Sequence, residues 1–299
     1  SPGTGNETGI AQVVAAELGV SPHDVTVVQG DTDRCPYGYG NFSSRSMTVG
    51  GAAALLAARD VRATLVTAAG VLLETTPEQV RLAHGRASVV YEPDRNLSIE
   101  ELTRAVFVRT LAVHGLDQAQ LESTRTYAPS NVHNVPDELG RSSPYPSFPY
   151  SAHVSTVEVD RETGLVKLQN YAGVHDCGTI INPKMVEGQF LGAITMGIGG
   201  ALWEELKYAP DGRLATKSFK HYLMPRANDL PWIKVGHEVT PSPFAMLGMK
   251  GVGESGVAGA IASLANAVND ALRPLGAVID QMPLSAPNVL AAIRRAERS

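Results

Sequence analysis

Cysteine is nearly absent from this sequence, which has two among 299 residues, Cys35 and Cys177. Two thiols cannot form the paired framework of a disulfide-stapled secreted domain. Nor can they supply the four thiolates that hold an iron–sulfur cluster. We therefore expect a reduced, cytoplasmic protein that carries no such cluster on this chain.

Excess positive charge and long apolar runs are also lacking. Twenty-five basic and 30 acidic residues give a net charge of -5, which argues against a surface for nucleic acid or anionic lipid. The most apolar stretches, near Leu55 and Ile194, are interrupted by Arg59 or by glycines, so neither provides the roughly 20 apolar residues of a membrane span. The sequence thus predicts a globular protein that binds neither nucleic acid nor a membrane.

The spacing of apolar residues predicts helices and strands in similar number along the whole chain. Apolar spacing predicts helices over residues 10–18 and 285–295, and alanine content or long apolar runs predict them over 49–73, 183–202 and 258–272. A capping box of Ser98 and Glu101 predicts the helix at 98–108, and Ser285 is predicted to cap the last helix. Alternation predicts hairpins at 78–91 and 154–171 and strands at 25–28, 232–239 and 278–281. These elements predict an α+β fold with β-hairpins and several buried helices. We expect two interleaved subdomains, about 1–130 and 131–299.

A glycine-rich stretch, GMKGVGESG at residues 248–256, leads into the apolar helix predicted from residue 258. Glycines allow close backbone approach, and a helix start offers unpaired N–H groups. Glu254 in this stretch is therefore a candidate general base. The alternative is a first-turn acid that is stabilised by the helix dipole. Gly248, Gly253 and Ser255 also match P-loop spacing, but Glu254 stands where that motif needs lysine, which disfavours a nucleotide hydrolase.

A second polar cluster, SSRS at residues 43–46, follows a loop rich in glycine and proline and precedes the alanine-rich helix. Three hydroxyls and a guanidinium at a helix start can form a phosphate cradle. A simple N-cap would need only one of the hydroxyls, and the sequence leaves both readings open.

Two further motifs lie before and within the helix predicted at 183–202. HDCG at residues 175–178 contains metal-ligand types, but without a second cluster at zinc-like spacing we interpret it as structural, and we predict no protein-derived metal site. Gln189 is polar on an otherwise apolar helix, where its amide could hydrogen-bond a heterocycle or an oxo group.

Four motifs in order carry a resemblance to a known family: GTGNET with Gln12, GDTDRCPYGYGNFSSRS with the alanine-rich helix, DCGTIINP followed by VEGQ, and KGVGESG. The sequence resembles the molybdenum-binding large subunit of the xanthine dehydrogenase, aldehyde oxidase and aerobic carbon monoxide dehydrogenase family. The resemblance covers essentially all 299 residues and implies the C-terminal part of such a subunit, its second molybdopterin-binding domain. Because the chain starts within the loop at residues 3–8, we expect a fragment that lacks the N-terminal molybdopterin-binding half.

The resemblance implies a role for each matched position. Glu254 would be the active-site base, acting on a nucleophile derived from water. The implied cofactor-binding residues are Gly3, Thr4, Gly5, Thr8, Gln12, Asn41, Phe42, Ser43, Ser44, Arg45, Ser46, Gln189, Lys250, Gly251, Val252 and Gly253. Thr4 replaces a glutamine and Asn41 a threonine that are frequent in the family. We expect Ser43, Ser44, Gln189 and Gly253 to converge on one concave surface.

The same resemblance implies cofactors and partners. Molybdenum bound to molybdopterin, in the cytosine dinucleotide form, is the expected cofactor, with FAD and 2Fe-2S clusters on partner subunits. The implied reaction hydroxylates a small molecule, an N-heterocycle or an aldehyde, or oxidises carbon monoxide, within a dimeric complex. The alternative from another class is a scaffold or assembly domain that keeps the fold without turnover.

Overall fold

The computed structural model describes residues 1–38, 40–108 and 121–298. Its contacts divide the chain into two compact units. The first unit comprises Ser1–Ser147 and Ser242–Met249, and the second comprises Phe148–Pro241 and Lys250–Ser299. Helices and two small sheets together confirm the predicted α+β fold. In the described residues no helix combines the length and apolarity needed to cross a bilayer.

The first unit packs helices against a small antiparallel sheet. Its elements are α1 (Asn6–Leu18), a π-helical segment (Ser46–Gly51), α2 (Ala52–Leu72), β1 (Val80–Ala83), β2 (Arg86–Val89), β3 (Glu92–Ser98) and α3 (Ile99–Val108). Leu65 and Ala69 of α2 are buried with Leu82 of β1 and Leu102 of α3. The strands pair in the order β1-β2-β3.

Local sequence explains two of these elements. The β1–β2 hairpin turns at His84 and Gly85, which have φ values of 52° and 71°, the left-handed geometry of a two-residue hairpin turn. The predicted capping box at α3 is confirmed, because Ser98 N–H donates to Glu101 at 2.8 Å and Glu101 N–H donates to the Ser98 hydroxyl at 3.1 Å.

The second unit places three helices beside a mixed sheet. β4 (Tyr150–Val159) runs antiparallel to β5 (Val166–Asp176), and β6 (Ile233–Glu238) runs parallel to β5. The helices are α4 (Pro183–Leu202), α5 (Val257–Leu272) and α6 (Ala286–Ala296). The core contains Phe190, Ile194 and Ile198 of α4, Leu264 and Val268 of α5, Tyr171 of β5 and Val289 of α6.

Residues typical of turns and helix caps set the β4–β5 turn and the start of α4. Gly164 in the β4–β5 turn has a φ of 75°, and a Cβ there would lie 2.3 Å from the carbonyl oxygen of Ala286, so only glycine fits. Asn182 caps α4, since its Oδ1 accepts the N–H of Met185 at 3.0 Å.

Three local predictions are wrong. Residues 25–28 and 278–281 form no strand. In the second segment the Asn269 amide pairs with both backbone groups of Ile279, at 2.9 and 3.0 Å, so a side chain replaces the neighbouring strand. Ser285 occupies the N-cap of α6, but its side chain makes no capping hydrogen bond.

Candidate active site

Glu254 lies in a turn ahead of α5. The helix begins at Val257, and its first turn contains no acidic residue. The Glu254 side chain is exposed, and its carbonyl accepts the N–H of Val257 at 3.3 Å. The alternative of an acid inside the first helical turn is therefore wrong. The turn itself, residues 250–256 and hereafter the Glu254 loop, must hold the carboxylate.

The start of the Glu254 loop is attached to the end of β5. Lys250 N–H donates to the Cys177 carbonyl at 2.7 Å. The Lys250 ammonium, which is buried, lies 3.2 Å from Oδ1 of Asp176. The Asp176 carboxylate also accepts the N–H groups of Gly178, at 2.8 Å, and Thr240, at 3.1 Å. One end of the loop is thus joined to the sheet by a backbone hydrogen bond and an ion pair.

These contacts decide the ionisation of Asp176. Burial disfavours the charged carboxylate, but donation from Thr240 and Gly178 and the neighbouring Lys250 outweigh that cost, and they lower the pKa of Asp176 to about 2. Asp176 is therefore ionised at neutral pH. The interpretation of residues 175–178 as structural agrees with this geometry.

The far end of the Glu254 loop is held by β4. The Ser151 hydroxyl donates to the Ser255 carbonyl at 2.7 Å, and the Ser255 hydroxyl donates to the Val252 carbonyl at 2.9 Å. His153, two residues along the same face of β4, hydrogen-bonds the Tyr171 hydroxyl at 2.7 Å. Burial lowers the pKa of His153, and the nearby Ser255 carbonyl partly opposes this. The residue that directly follows Glu254 is therefore restrained.

Helix α4 approaches the middle of the loop. A Cβ on Gly253 would lie 3.9 Å from Oε1 of Gln189, so the structure brings these two predicted residues together. A Cβ on Gly256 would lie 2.8 Å from the Phe190 carbonyl oxygen and 2.8 Å from the Ile194 nitrogen. Glycine at 256 thus permits direct backbone packing of the loop on α4, and it places Gln189 beside Gly253.

The first unit brings together two other predicted loops. Asn41 donates from its amide to the Thr4 hydroxyl at 3.2 Å, and the Ser46 hydroxyl hydrogen-bonds Oδ1 of Asn41. Thr4 and Asn41, the two departures from the family pattern, are therefore hydrogen-bonded to each other. Gly3, Gly5, Thr8 and Gln12 lie in or directly after the Thr4 loop, with α1 beginning at Asn6.

The backbone at Ser43 and Ser44 has an uncommon geometry. Both residues have positive φ, 52° and 58°, and the π-helical segment begins two residues later. Left-handed serines cost energy and occur where surrounding structure enforces them, often at ligand sites. Successive N–H groups in such turns form concave anion-binding nests. The Arg45 guanidinium lies 5.2 Å from the Phe42 ring centroid, which adds positive charge to the same loop.

The predicted residues are thus grouped within each unit. The first unit holds the Thr4 and Ser43 loops, and the second holds Gln189 and the Glu254 loop. Convergence of the two groups on one surface stays a prediction. Across 1–38, 40–108 and 121–298 no three His, Cys, Asp or Glu side chains are arranged to hold a metal ion.

Three residues of the site were not predicted from sequence as parts of it: Ser151, His153 and Asp176. Ser151 is 104 positions from Ser255, and its serine-alanine-histidine context resembles any exposed strand. Asp176 carried a recognisable signal, because it ends the second strand of the predicted hairpin and stands two residues before a glycine. Lys250, predicted to contact the cofactor, directs its side chain to Asp176 and lies 4.7 Å from the Tyr150 ring centroid.

Known proteins are similar to this chain in sequence and fold. A family model described as a molybdopterin cofactor-binding domain matches residues 1–231. The nicotine 6-hydroxylase large subunit of Paenarthrobacter nicotinovorans is 35% identical over 98% of this chain and 34% of its own length. The carbon monoxide dehydrogenase large chain of Afipia carboxidovorans is 34% identical over 95% of this chain and 33% of its own.

Solved structures extend the similarity to three dimensions. The crystal structure of quinoline 2-oxidoreductase from Pseudomonas putida 86 matches with a TM-score of 0.85 and 35% identity, covering 98% of this chain and 36% of that one. This chain therefore spans about a third of the length of the relatives that it matches.

Proposed function

Since the chain belongs to the molybdopterin cofactor-binding domain family, as the resemblance of its motifs predicted, we propose that it is the C-terminal part of the catalytic subunit of a molybdenum hydroxylase. Residues 1–299 would form the second molybdopterin-binding domain. The family model ends before Glu254, so the role of that residue is proposed from its own surroundings.

One observation carries the proposal: an exposed carboxylate stands on a loop that is held on both sides and that lies against Gln189. Lys250 fixes the loop before Glu254, and Ser255 fixes it afterwards. A general base needs a defined position more than it needs burial, because proton transfer requires hydrogen-bonding distance. A solvated surface acid would need none of these attachments.

The donor set fits an anionic pterin cofactor. Hydroxyls and amides dominate the Thr4 and Ser43 loops, the positive φ angles at Ser43 and Ser44 favour an anion nest, and Arg45 supplies a cation. Gln189 can donate to or accept from a pterin or oxo group. Gly251, Val252 and Gly253 would approach the cofactor by backbone, since the Lys250 side chain is directed to Asp176.

The cofactor and the protein residues would have separate roles in the reaction. When bound, the cofactor would supply the two-electron oxidation and the oxygen-transfer chemistry. Glu254 would accept, at its carboxylate, the proton that the water-derived nucleophile releases. The loops of the first unit would orient the pterin and its phosphates. Gln189 would hydrogen-bond the cofactor beside the Glu254 loop.

Cofactor form and partners follow as finer proposals. We infer a cytosine dinucleotide form from the family resemblance, and the Ser43 loop and the start of the π-helical segment would suit its phosphates. FAD and 2Fe-2S clusters would reside on other subunits, since two free cysteines cannot ligate a cluster here. The complex would contain an N-terminal molybdopterin-binding half, would dimerise in the cytoplasm, and would act on an N-heterocycle, an aldehyde or carbon monoxide.

Glu254→Gln in the complete enzyme tests this function. Glutamine keeps the size of the side chain but cannot accept the proton, so we expect turnover to fall about 10²–10⁴-fold while molybdenum content stays unchanged. Glu162→Gln, an exposed acid in the β4–β5 turn, is the matched control and should keep full turnover. Turnover within a few-fold of the parent rate in Glu254→Gln would instead favour the scaffold alternative.

A further inference from the structure

The Asp176–Lys250 contact is a buried ion pair next to the proposed catalytic loop. Their side chains are 10% and 6% exposed, and Oδ1 lies 3.2 Å from Nζ. Among the described residues no well-aligned hydrogen bond satisfies Nζ, so the attraction is ionic. Burying both charges is costly, and hydrophobic residues of similar volume would often be as stable. The pair therefore requires an explanation beyond stability.

The two partners are fixed very differently. Asp176 ends β5 and accepts N–H groups from Gly178 and Thr240, so the sheet and its connections hold the carboxylate. Lys250 opens the Glu254 loop, where its backbone N–H donates to the Cys177 carbonyl and its ammonium lies near the Tyr150 ring. The charge of Asp176 thus holds a loop residue against a rigid strand end.

We propose that Asp176 and Lys250 are positioning residues that fix the Glu254 loop in its working geometry. The proposal rests on the function assigned to Glu254 above. Lys250 stands four residues before Glu254, and the intervening glycines leave the backbone free to move unless both ends are held. Ser151 holds the far end, and the ion pair holds the near end.

The geometry predicts that removing the charge of Asp176 loosens the Glu254 loop more than removing the charge of Lys250. Lys250→Met leaves Asp176 ionised but still bonded to two N–H groups. Asp176→Asn leaves a buried ammonium without a counter-charge, which is the more costly defect. The double variant removes both charges, so it should recover much of the loop order that Asp176→Asn loses. Two independent structural defects would instead add.

Hydrogen exchange of the complete protein measures the position of the loop without depending on catalysis. We expect amide exchange in the 250–256 peptide to rise about tenfold or more in Asp176→Asn, less in Lys250→Met, and to return towards the parent rate in the double variant. A peptide from 264–272 in α5 should be unchanged. Lys234→Met, an exposed lysine on β6, is the matched control and should leave both peptides unchanged.

Loop exchange that stays at the parent rate in Asp176→Asn would overturn the proposal. So would an equal rise in both peptides, which would indicate general destabilisation, or additive effects in the double variant. A turnover measurement on the same proteins then separates the two claims. Loss of kcat in Asp176→Asn with molybdenum retained supports positioning.

Full kcat in Asp176→Asn, with Glu254→Gln inactive, overturns the positioning claim alone. Full turnover in Glu254→Gln overturns the proposed function, while the exchange pattern still decides whether the ion pair holds the loop.

Discussion

At the level of single residues, the Glu254 loop depends on hydrogen bonds from side chains to which no catalytic role is assigned. Ser151 donates to the Ser255 carbonyl, one residue beyond the proposed base. Ser155, four residues further along β4, hydrogen-bonds Ser263 of α5 at a similar distance, 2.8 Å. The two serines offer a matched comparison between the loop and the helix behind it.

Ser151→Ala should lower turnover more than it lowers stability. Each alanine variant loses one hydrogen bond, worth about 0.5–1.5 kcal/mol of unfolding free energy. Removing the Ser151 bond releases the Ser255 carbonyl, so we expect kcat to fall several-fold, whereas Ser155→Ala should keep the parent kcat. Urea unfolding and steady-state kinetics of both variants provide the measurement. Equal kcat values in the two variants would show that the Ser255 carbonyl does not position the base.

Residue types explain which members of the site the sequence could predict. Glu254 and Gln189 stand out because a carboxylate among glycines and an amide on an apolar helix are unusual locally. Ser151 is an ordinary strand residue, and its importance comes from pairing with a residue 104 positions away. Such pairing depends on how β4 lies beside the loop, which no local pattern contains.

At the scale of secondary structure elements, α4 and α5 approach so closely that glycine is required at the contact. A Cβ on Gly197 of α4 would lie 2.5 Å from the Val257 carbonyl oxygen and 2.7 Å from Cβ of Ala260. Gly192 lies on the same helix, and a Cβ there meets no described atom within 4 Å. The first position thus sets the helix spacing, and the second does not.

Substituting alanine at these two glycines should therefore change stability in opposite directions. Gly192→Ala should stabilise the protein by about 0.5–1 kcal/mol, because alanine loses less backbone entropy in a helix. Gly197→Ala should destabilise it by about 1–3 kcal/mol, since backbone atoms of α5 must move. Thermal and urea unfolding of the two variants give the sign directly. A stabilising effect at Gly197 would mean that the helices can separate without cost.

Helices and hairpins were the most predictable elements, and the reasons are physical. The hairpin at 78–91 has its turn at Gly85, and α4 follows an Asn-Pro start, so local chemistry sets both. The failed strand at 278–281 has strand-like residues but pairs with Asn269 instead of a strand. The π-helical segment before α2 was also missed, because its extra residue per turn has no composition of its own.

At the scale of the whole molecule, the second unit carries buried groups whose pKa values make its stability depend on pH. His175 has its pKa lowered to about 4, first by burial and then by His237, which it contacts at 2.7 Å. A histidine whose pKa is lowered by folding makes its full contribution to stability at pH values above its ordinary pKa of about 6.5. It loses that contribution as the pH falls from about 6.5 to 4. Asp176 acts in a lower range.

The contribution of Asp176 should be lost between about pH 4 and 2. Its pKa falls from 3.8 to about 2 on folding. The unfolded state therefore binds the proton first as the pH drops, and the stabilisation, about 2–3 kcal/mol, is complete above the unfolded pKa. We expect the difference in unfolding free energy between the parent and Asp176→Asn to shrink as the pH falls from 5 to about 2.5. Urea titrations across this range measure the difference. The exposed carboxylates are common to both proteins, whereas His175, whose pKa the Asp176 charge raises, contributes at the upper end of the range. A difference that stays constant with pH would mean that Asp176 titrates in the folded state as it does in the unfolded chain, so that Lys250, Gly178 and Thr240 do not stabilise its charge.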